Sequence, residues 1–180
     1  TKGGKVLVNT LAELRSMGLN VHLILIGEPT GTTDPRNAEY YAETINLANK
    51  LGVIKYITQT GFVDSNTASI LLQSCDMMVL PYLNGASLRN GSLIACINNG
   101  CPVITTRPET TNTLLRDGCN IIFVDNHNPL STAKAVTRLY QNDMLRKQIG
   151  EEALKLQRHF NWHKIAQKTT NFFSKVLTHP

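Results

Sequence analysis

The sequence predicts an α/β fold, a doubly wound parallel sheet of Rossmann-like type that ends in helices alone. Three observations predict it. Short apolar runs alternate with amphipathic stretches along the first two thirds of the chain. The runs Met77–Leu80 and Val103–Thr106 of the central unit are unbroken rather than alternating, and from Pro129 onward only helical periodicity remains. Strands that read as continuous apolar runs are covered on both faces, as in a parallel sheet flanked by helices. Ligands of such sheets bind beyond the carboxyl ends of the strands.

Lys5 to Met17 is helical, with Val6, Leu7, Leu11 and Leu14 at helical spacing, and Gly18 ends it. Val21 to Ile26 is a strand that runs into Gly27-Glu28-Pro29-Thr30-Gly31. A polar loop leads past Asp34-Pro35 into a helix from about Arg36 to Leu51, which Gly52 stops. Tyr56 to Thr60 is a weaker strand closed by Gly61-Phe62-Val63. Asp64 then caps a helix that turns Ile70, Leu71 and Leu72 inward and reaches Cys75. After the central unit described next, Asn112 to Arg116 reads as a short helix and Asn120 to Val124 as the last strand. Helices follow over Ala133–Tyr140, Met144–Phe160 and Trp162–Leu177, so the all-helical tail covers about residues 130–178.

The stretch from Asp76 to Thr106 organises the rest. Met77 to Leu80 stops at Pro81, a polar loop with two glycines runs from Asn84 to Gly91, and Leu93 to Ile97 is a short apolar segment. Asn98-Asn99-Gly100 closes that segment before the strand-like Val103 to Thr106. This is a β–loop–α–β unit with its punctuation intact. Its loop holds Ser87, Arg89, Asn90, Gly91 and Ser92 where a helix N-terminus follows a strand end. There, unpaired N–H groups and the positive end of the helix dipole favour an anion, and a phosphate site is one reading. The same residues equally fit an ordinary turn with a helix cap at Ser87 or Ser92.

Composition bounds the function. The 180 residues, 42% hydrophobic, suffice for one domain with a sizeable core, and no segment is long and apolar enough to span a bilayer. Cys75, Cys96, Cys101 and Cys119 lack CxxC spacing and sit in or beside apolar runs, which fits buried free thiols in a reducing, cytoplasmic compartment. A net charge of +5 suits an anionic ligand or a loose contact with the inner face of a membrane, and carries no nucleic-acid signature. The sequon at Asn90 falls inside the loop and is read as chance. Thr1-Lys2-Gly3-Gly4 runs straight into a helix with no strand before it, which suggests a chain cut from something longer.

The order of these features resembles the C-terminal, nucleotide-sugar-binding domain of a GT-B glycosyltransferase of the group 1 (family 4) type. Lys2-Gly3 resembles the family's lysine–glycine motif, and Leu25-Ile26-Gly27-Glu28 its strand ending in glycine. Gly61-Phe62-Val63, the capped helix, and Cys75 through Pro81 resemble the run that ends in proline. Gly100-Cys101-Pro102-Val103-Ile104-Thr105 matches the family's G-x-P-V-I segment, and Asp117-Gly118 with Asn120 to Asp125 its aspartate–glycine close. The likeness covers nearly the whole chain.

One departure lies at the centre. The family commonly carries two glutamates where Ser87 and Ala95 stand here, the second of them a ribose ligand. The run Gly85 to Ser92 instead resembles a bacterial branch with an S-L-R-x-G-[ST] loop. In that setting Arg89 is the natural diphosphate partner, since a guanidinium chelates phosphate oxygens bidentately. The resemblance implies transfer of a sugar from a UDP- or GDP-sugar to a glycan or lipid-linked acceptor, with retention of configuration and without a cofactor or bound metal. Lys2, Arg89 and the Gly91–Ser92 amides would neutralise the leaving diphosphate. Ser87 and Asn90 would flank it, and Gly27, Glu28, Phe62 and Val63 would line the nucleotide. An N-terminal, acceptor-binding domain would be the missing partner, so this chain alone is expected to bind donor weakly and to transfer nothing.

Other residues read more plainly. His22 is a core or edge residue of its strand, and His127 a solvated loop residue. Glu109 follows a strand, from which it could reach the site, and is read chiefly as a loop carboxylate. Arg146, Lys147, Glu151 and Glu152 form a solvated helix face, whereas Leu154, Leu156, Phe160, Trp162, Ile165, Phe172 and Phe173 form a packing series that extends to the missing domain. A non-catalytic binding module on the same fold is the alternative: the missing glutamate pair favours it, and the Lys2 and Arg89 features oppose it. An epimerase would need acidic and histidine residues converging on the sugar. A dinucleotide fold would need a GxGxxG opening a helix after a strand. Neither pattern occurs.

Overall fold

The computed structural model describes residues 2–28, 35–110 and 113–178. In chain order the elements are α1 (Gly4–Ser16), β1 (Leu23–Leu25), α2 (Pro35–Lys50), β2 (Ile57–Gln59), α3 (Ser65–Ser74), β3 (Met78–Leu80), α4 (Gly91–Asn98), β4 (Val103–Thr106), β5 (Ile122–Val124), α5 (Pro129–Tyr140), α6 (Asp143–Leu154) and α7 (Trp162–Thr178). Single 3₁₀ turns occupy Ile54–Tyr56 and Lys155–His159. Every strand pair is parallel. The ladder comes in two pieces, β1 beside β2 and the order β3-β4-β5.

Alternation along the strands produces the double winding. Val103 and Ile121 join Leu93, Cys96 and Ile97 of α4 in a core on one face. Ile104, Ile122 and Val124 join Leu14 of α1 and Ala133, Val136 and Leu139 of α5 on the other. A third cluster packs Val8 and Leu11 of α1 against Ala48 of α2 and the β1–β2 pair. Val21 packs against both this cluster and the second one, which ties the two pieces of the sheet together. β4 is buried along its whole length.

Helix starts follow the sequence chemistry. Asp64 caps α3 by accepting from the Asn66 and Thr67 amides at 2.8 and 3.0 Å, as expected. Asn128 caps α5, with Pro129 at its first position, and Asn142 caps α6.

Several expectations need correction. The strands are shorter than their apolar runs, because pairing stops where the chain turns toward its helix. Ile70 faces solvent at 64% exposure, and only Leu72 of its trio is buried, because the α3 face against the core is narrow. The expected helix over Asn112–Arg116 begins at a residue outside the described set, and residues 113–116 are not helical. Asn120 orders that segment instead, accepting from the Arg116 amide and donating to the Leu114 carbonyl. The expected helix over Met144–Phe160 breaks at Lys155, where the 3₁₀ turn brings Leu156 into the core and leaves Leu154 at the surface. Arg146 is not simply solvated: its guanidinium donates to the Leu139 carbonyl at 3.0 Å and pairs with Asp143 at 2.9 Å. The thiols match expectation in being free, with Cys96 and Cys101 buried. A hydrogen bond with Cys101, together with burial, pushes the Cys96 thiol far above the ordinary range, so it is chemically quiet.

Candidate functional site

The carboxyl end of β3 is where the features converge. Gly3, the N-cap of α1, has a left-handed φ of 67°, and a β-carbon there would overlap the Pro81 carbonyl oxygen. A glycine is therefore what allows the start of α1 to touch the end of β3. The next residue, Tyr82, is buried, and its hydroxyl shares a 2.7 Å hydrogen bond with the Ser92 hydroxyl on the first turn of α4. Burial, partly offset by that bond, raises the Tyr82 pKa and keeps the phenol neutral. Two helix N-termini are thus anchored to consecutive residues of one strand end.

The loop between β3 and α4 is held from below. Thr105 and Thr106 donate their hydroxyls to the Leu80 and Tyr82 carbonyls at 2.6 and 2.7 Å, and the Ala86 amide donates to the Thr106 carbonyl at 3.2 Å. Gly85, at φ 74°, lies so close to the segment after β4 that a β-carbon would stand 2.6 Å from the Arg107 carbonyl oxygen. Within the loop, Asn90 accepts from the Ser87 amide at 2.7 Å, and Ser87 from the Arg89 amide at 3.2 Å.

Neither Ser87 nor Ser92 caps α4, which corrects that part of the turn reading. The N-cap is Asn90, and its side-chain oxygen faces back into the loop, leaving the helix without a side-chain cap. α1 likewise has none. By contrast α3, α5 and α6 are side-chain capped, and Asn161 accepts from the Lys164 amide at the start of α7. Among the helices whose N-cap residue is described, the two that meet at β3 are the ones whose N-cap side chain bonds no amide of the first turn. The Lys5 amide of α1 nonetheless donates to the Tyr40 hydroxyl on α2 at 3.2 Å.

Charge follows the same pattern. Lys2 and Arg89 are exposed, and among the described residues neither has an ion-pair partner. The other cations at this edge are occupied. Lys5 binds Glu43 at 2.6 Å, and Arg107 lies 3.5 Å from Asp117 and 5.3 Å from the Phe123 ring. An anion at this strand end would therefore meet two unpaired cations and two helix dipoles.

The remaining candidates form a second group. Gly27 and Gly61 bridge each other beyond β1 and β2, and the Gly27 amide donates to the Thr60 hydroxyl at 3.0 Å. This places Gly27, Glu28, Phe62 and Val63 side by side, with Phe62 78% exposed. Ile26, just before Gly27, packs on the core that contains Tyr82, Ala86 and Leu88, so the two groups border one another. Ala95 is half-buried on α4 and contributes only apolar contact. His22 bonds the Thr58 hydroxyl across β1 and β2 at 2.8 Å, an edge role, and His127 sits in a turn at φ 55°. Two surface depressions of about 490 and 520 Å³ lie elsewhere, beside Met17 and Arg138 and beside Asn98 and Lys164. Tyr82, Thr105 and Thr106 escape sequence reasoning, and the only available signal was a tyrosine directly after the strand-ending proline.

A parallel sheet wound on both faces by helices defines a Rossmann-like domain. The sequence model of the glycosyl transferases group 1 family matches residues 1–142, and the chain belongs to that family. Its fold is that of the C-terminal half of a GT-B enzyme. A D-inositol 3-phosphate glycosyltransferase of Corynebacterium efficiens is 28% identical over 98% of this chain and 41% of its own length. The chain spans about two fifths of the curated relatives it matches. Among solved structures, the C-terminal domain of a glycosyl transferase group 1 family protein from Francisella tularensis superposes with a TM-score of 0.72 at 21% identity, over 87% of this chain and 77% of that one. An Anabaena protein solved in complex with UDP and glucose gives 0.81 at 19% identity, over 97% and 45%.

Proposed function

We propose that this chain is the donor-binding half of a glycosyltransferase that moves a sugar from a nucleotide-sugar to a glycan or lipid-linked acceptor. The observation that carries the reading is the meeting at the end of β3 of two helix N-termini whose N-cap side chains bond no first-turn amide, beside Lys2 and Arg89, which have no ion-pair partner among the described residues. As the glycosidic bond to the donor breaks, negative charge grows on the diphosphate. Cations and amides fixed in advance lower the energy of that state without reorganising. Arg89 supplies a planar fork for two phosphate oxygens, Lys2 a point charge, and the Gly91 and Ser92 amides the helix dipole. Ser87 and Asn90 hold the loop in shape beside them. Gly27, Glu28, Phe62 and the backbone at Val63 line the nucleoside. The Anabaena protein's UDP supports a nucleoside diphosphate as the ligand class.

With charge neutralised by side chains and helix ends, the reaction proceeds without a bound metal or cofactor, and the family resemblance assigns retention of configuration. The acceptor and the groups that position it belong to a facing N-terminal domain. On this reading the exposed Phe172, Phe173, Val176 and Leu177 of α7 pack on that domain. No described helix is long and apolar enough to cross a membrane. A cytoplasmic site with peripheral contact at the inner membrane face suits the net charge of +5.

The test is a calorimetric titration with UDP, GDP and ADP, repeated on Arg89→Ala. One diphosphate should bind saturably, and loss of a bidentate charged contact should weaken it about a hundredfold. Absence of binding by all three would sink the reading. Ser87 and Ala95, standing where the family has glutamates, favour a second reading: a non-catalytic module that binds the nucleotide-sugar. That reading expects diphosphate binding to persist with no sugar released from the donor by the protein with its acceptor domain.

A further inference from the structure

The start of α1 carries one contact that no feature of the sequence announces. Gly3 has no side chain with which to cap the helix, and the Lys5 amide donates instead to the hydroxyl of Tyr40 on α2, at 3.2 Å. The Tyr40 ring packs against Gly4, where a β-carbon would lie 3.5 Å from its edge. Above the ring stands the Lys5 ammonium, 5.2 Å from the centroid, and Glu43 holds that ammonium at 2.6 Å. Lys5 is therefore drawn toward α2 and neutralised, although it is only three residues from Lys2.

The phenol is differently placed. A tyrosine hydroxyl has one proton to give as well as lone pairs to offer. At Tyr40 a lone pair is used by the Lys5 amide, while among the described residues no acceptor takes the proton. The group sits half-buried at the N-terminus of α1, against Gly4 and so one residue along from Gly3, which touches Pro81, with its donor capacity unspent among the described residues. Accepting an N–H from a helix N-terminus polarises the O–H further and makes it a stronger donor.

We propose that Tyr40 is a binding residue for the diphosphate of the donor, giving its hydroxyl proton to a phosphate oxygen beside Lys2. This rests on the donor-binding reading above and adds to it a contact from α2. It also assigns the two lysines of the segment opposite duties: Lys2 is the ligand cation, and Lys5 holds the tyrosine ring in place.

Tyr40→Phe removes the hydroxyl and keeps the ring against Gly4. The protein and this variant would be titrated with the nucleoside diphosphate that binds, with the matching phosphate-free nucleoside, and with inorganic pyrophosphate, alongside thermal unfolding of both. A hydrogen bond to a charged oxygen predicts about tenfold weaker binding of the diphosphate and of pyrophosphate, with nucleoside affinity unchanged. Unchanged diphosphate affinity would overturn the assignment. So would an equal loss for diphosphate and nucleoside, which marks a merely structural tyrosine. Failure of the unaltered protein to bind any diphosphate would overturn the donor-binding reading itself, and this inference with it.

Discussion

Gly3 is the residue on which the site depends most directly. It combines a left-handed backbone with contact against the Pro81 carbonyl, and both demand the absence of a β-carbon. The obstacle is backbone rather than a flexible side chain, so rotation cannot relieve it. Gly3→Ala should push the first turn of α1 away from β3 and weaken nucleoside diphosphate binding at least about tenfold, by loss of the oriented amides. Calorimetry on the variant checks this, and undiminished binding would show that α1 takes no part. Lys2 and Gly3 were legible from their motif. The reason for the glycine was not, since Pro81 is 78 residues away in sequence and only the fold brings it there.

At the scale of elements, N-cap side chains bond first-turn amides in α3, α5 and α6 but not in α1 and α4. Asp64 holds α3 through two amides and the Thr67 hydroxyl, and these bonds lower its carboxyl pKa below the ordinary value. A carboxylate with a depressed folded-state pKa adds stability above its unfolded pKa. That stability fades as pH falls through the folded value. The Tm of the unaltered protein should therefore exceed that of Asp64→Ala by about 2–4 °C near neutral pH. The gap should close as pH falls below the ordinary carboxylate range. Thermal unfolding followed by circular dichroism across that range is the measurement, and a gap independent of pH would refute the electrostatic part of the account. Asp64 was readable because a cap acts within three residues. Asn90 looks like the same kind of residue, yet its oxygen turns back to Ser87, which leaves α4 open. The loop clamp from β4 decides between those two fates.

The whole molecule rests on both faces of one sheet. Leu93 on α4 and Leu139 on α5 are each fully buried, on opposite sides of β4. Because neighbouring residues of β4 feed the two cores, a cavity on either side should weaken the same cooperative unit. Leu93→Ala and Leu139→Ala should each lower unfolding stability by about 2–5 kcal/mol. In urea each variant should give one transition with an unchanged slope, by fluorescence and circular dichroism alike. Separate transitions would show that the two faces fold apart.

What the sequence by itself determined was the order of α and β elements, the parallel winding, the glycine- and serine-bearing loop after Pro81, and the family. These are written in local periodicity and in turn residues, where the physics acts over a few positions. Tertiary structure alone decided which apolar residues are buried, as the outward Ile70 and inward Leu156 show, and where α6 gives way to a 3₁₀ turn. It alone also decided which cations stay unpaired. Lys2 and Lys5, or Arg89 and Arg107, are alike as residue types. Glu43 and Asp117 occupy one of each pair, and the other has no ion-pair partner among the described residues. Such choices depend on side chains that meet across tens of residues, and short-range periodicity carries no record of them.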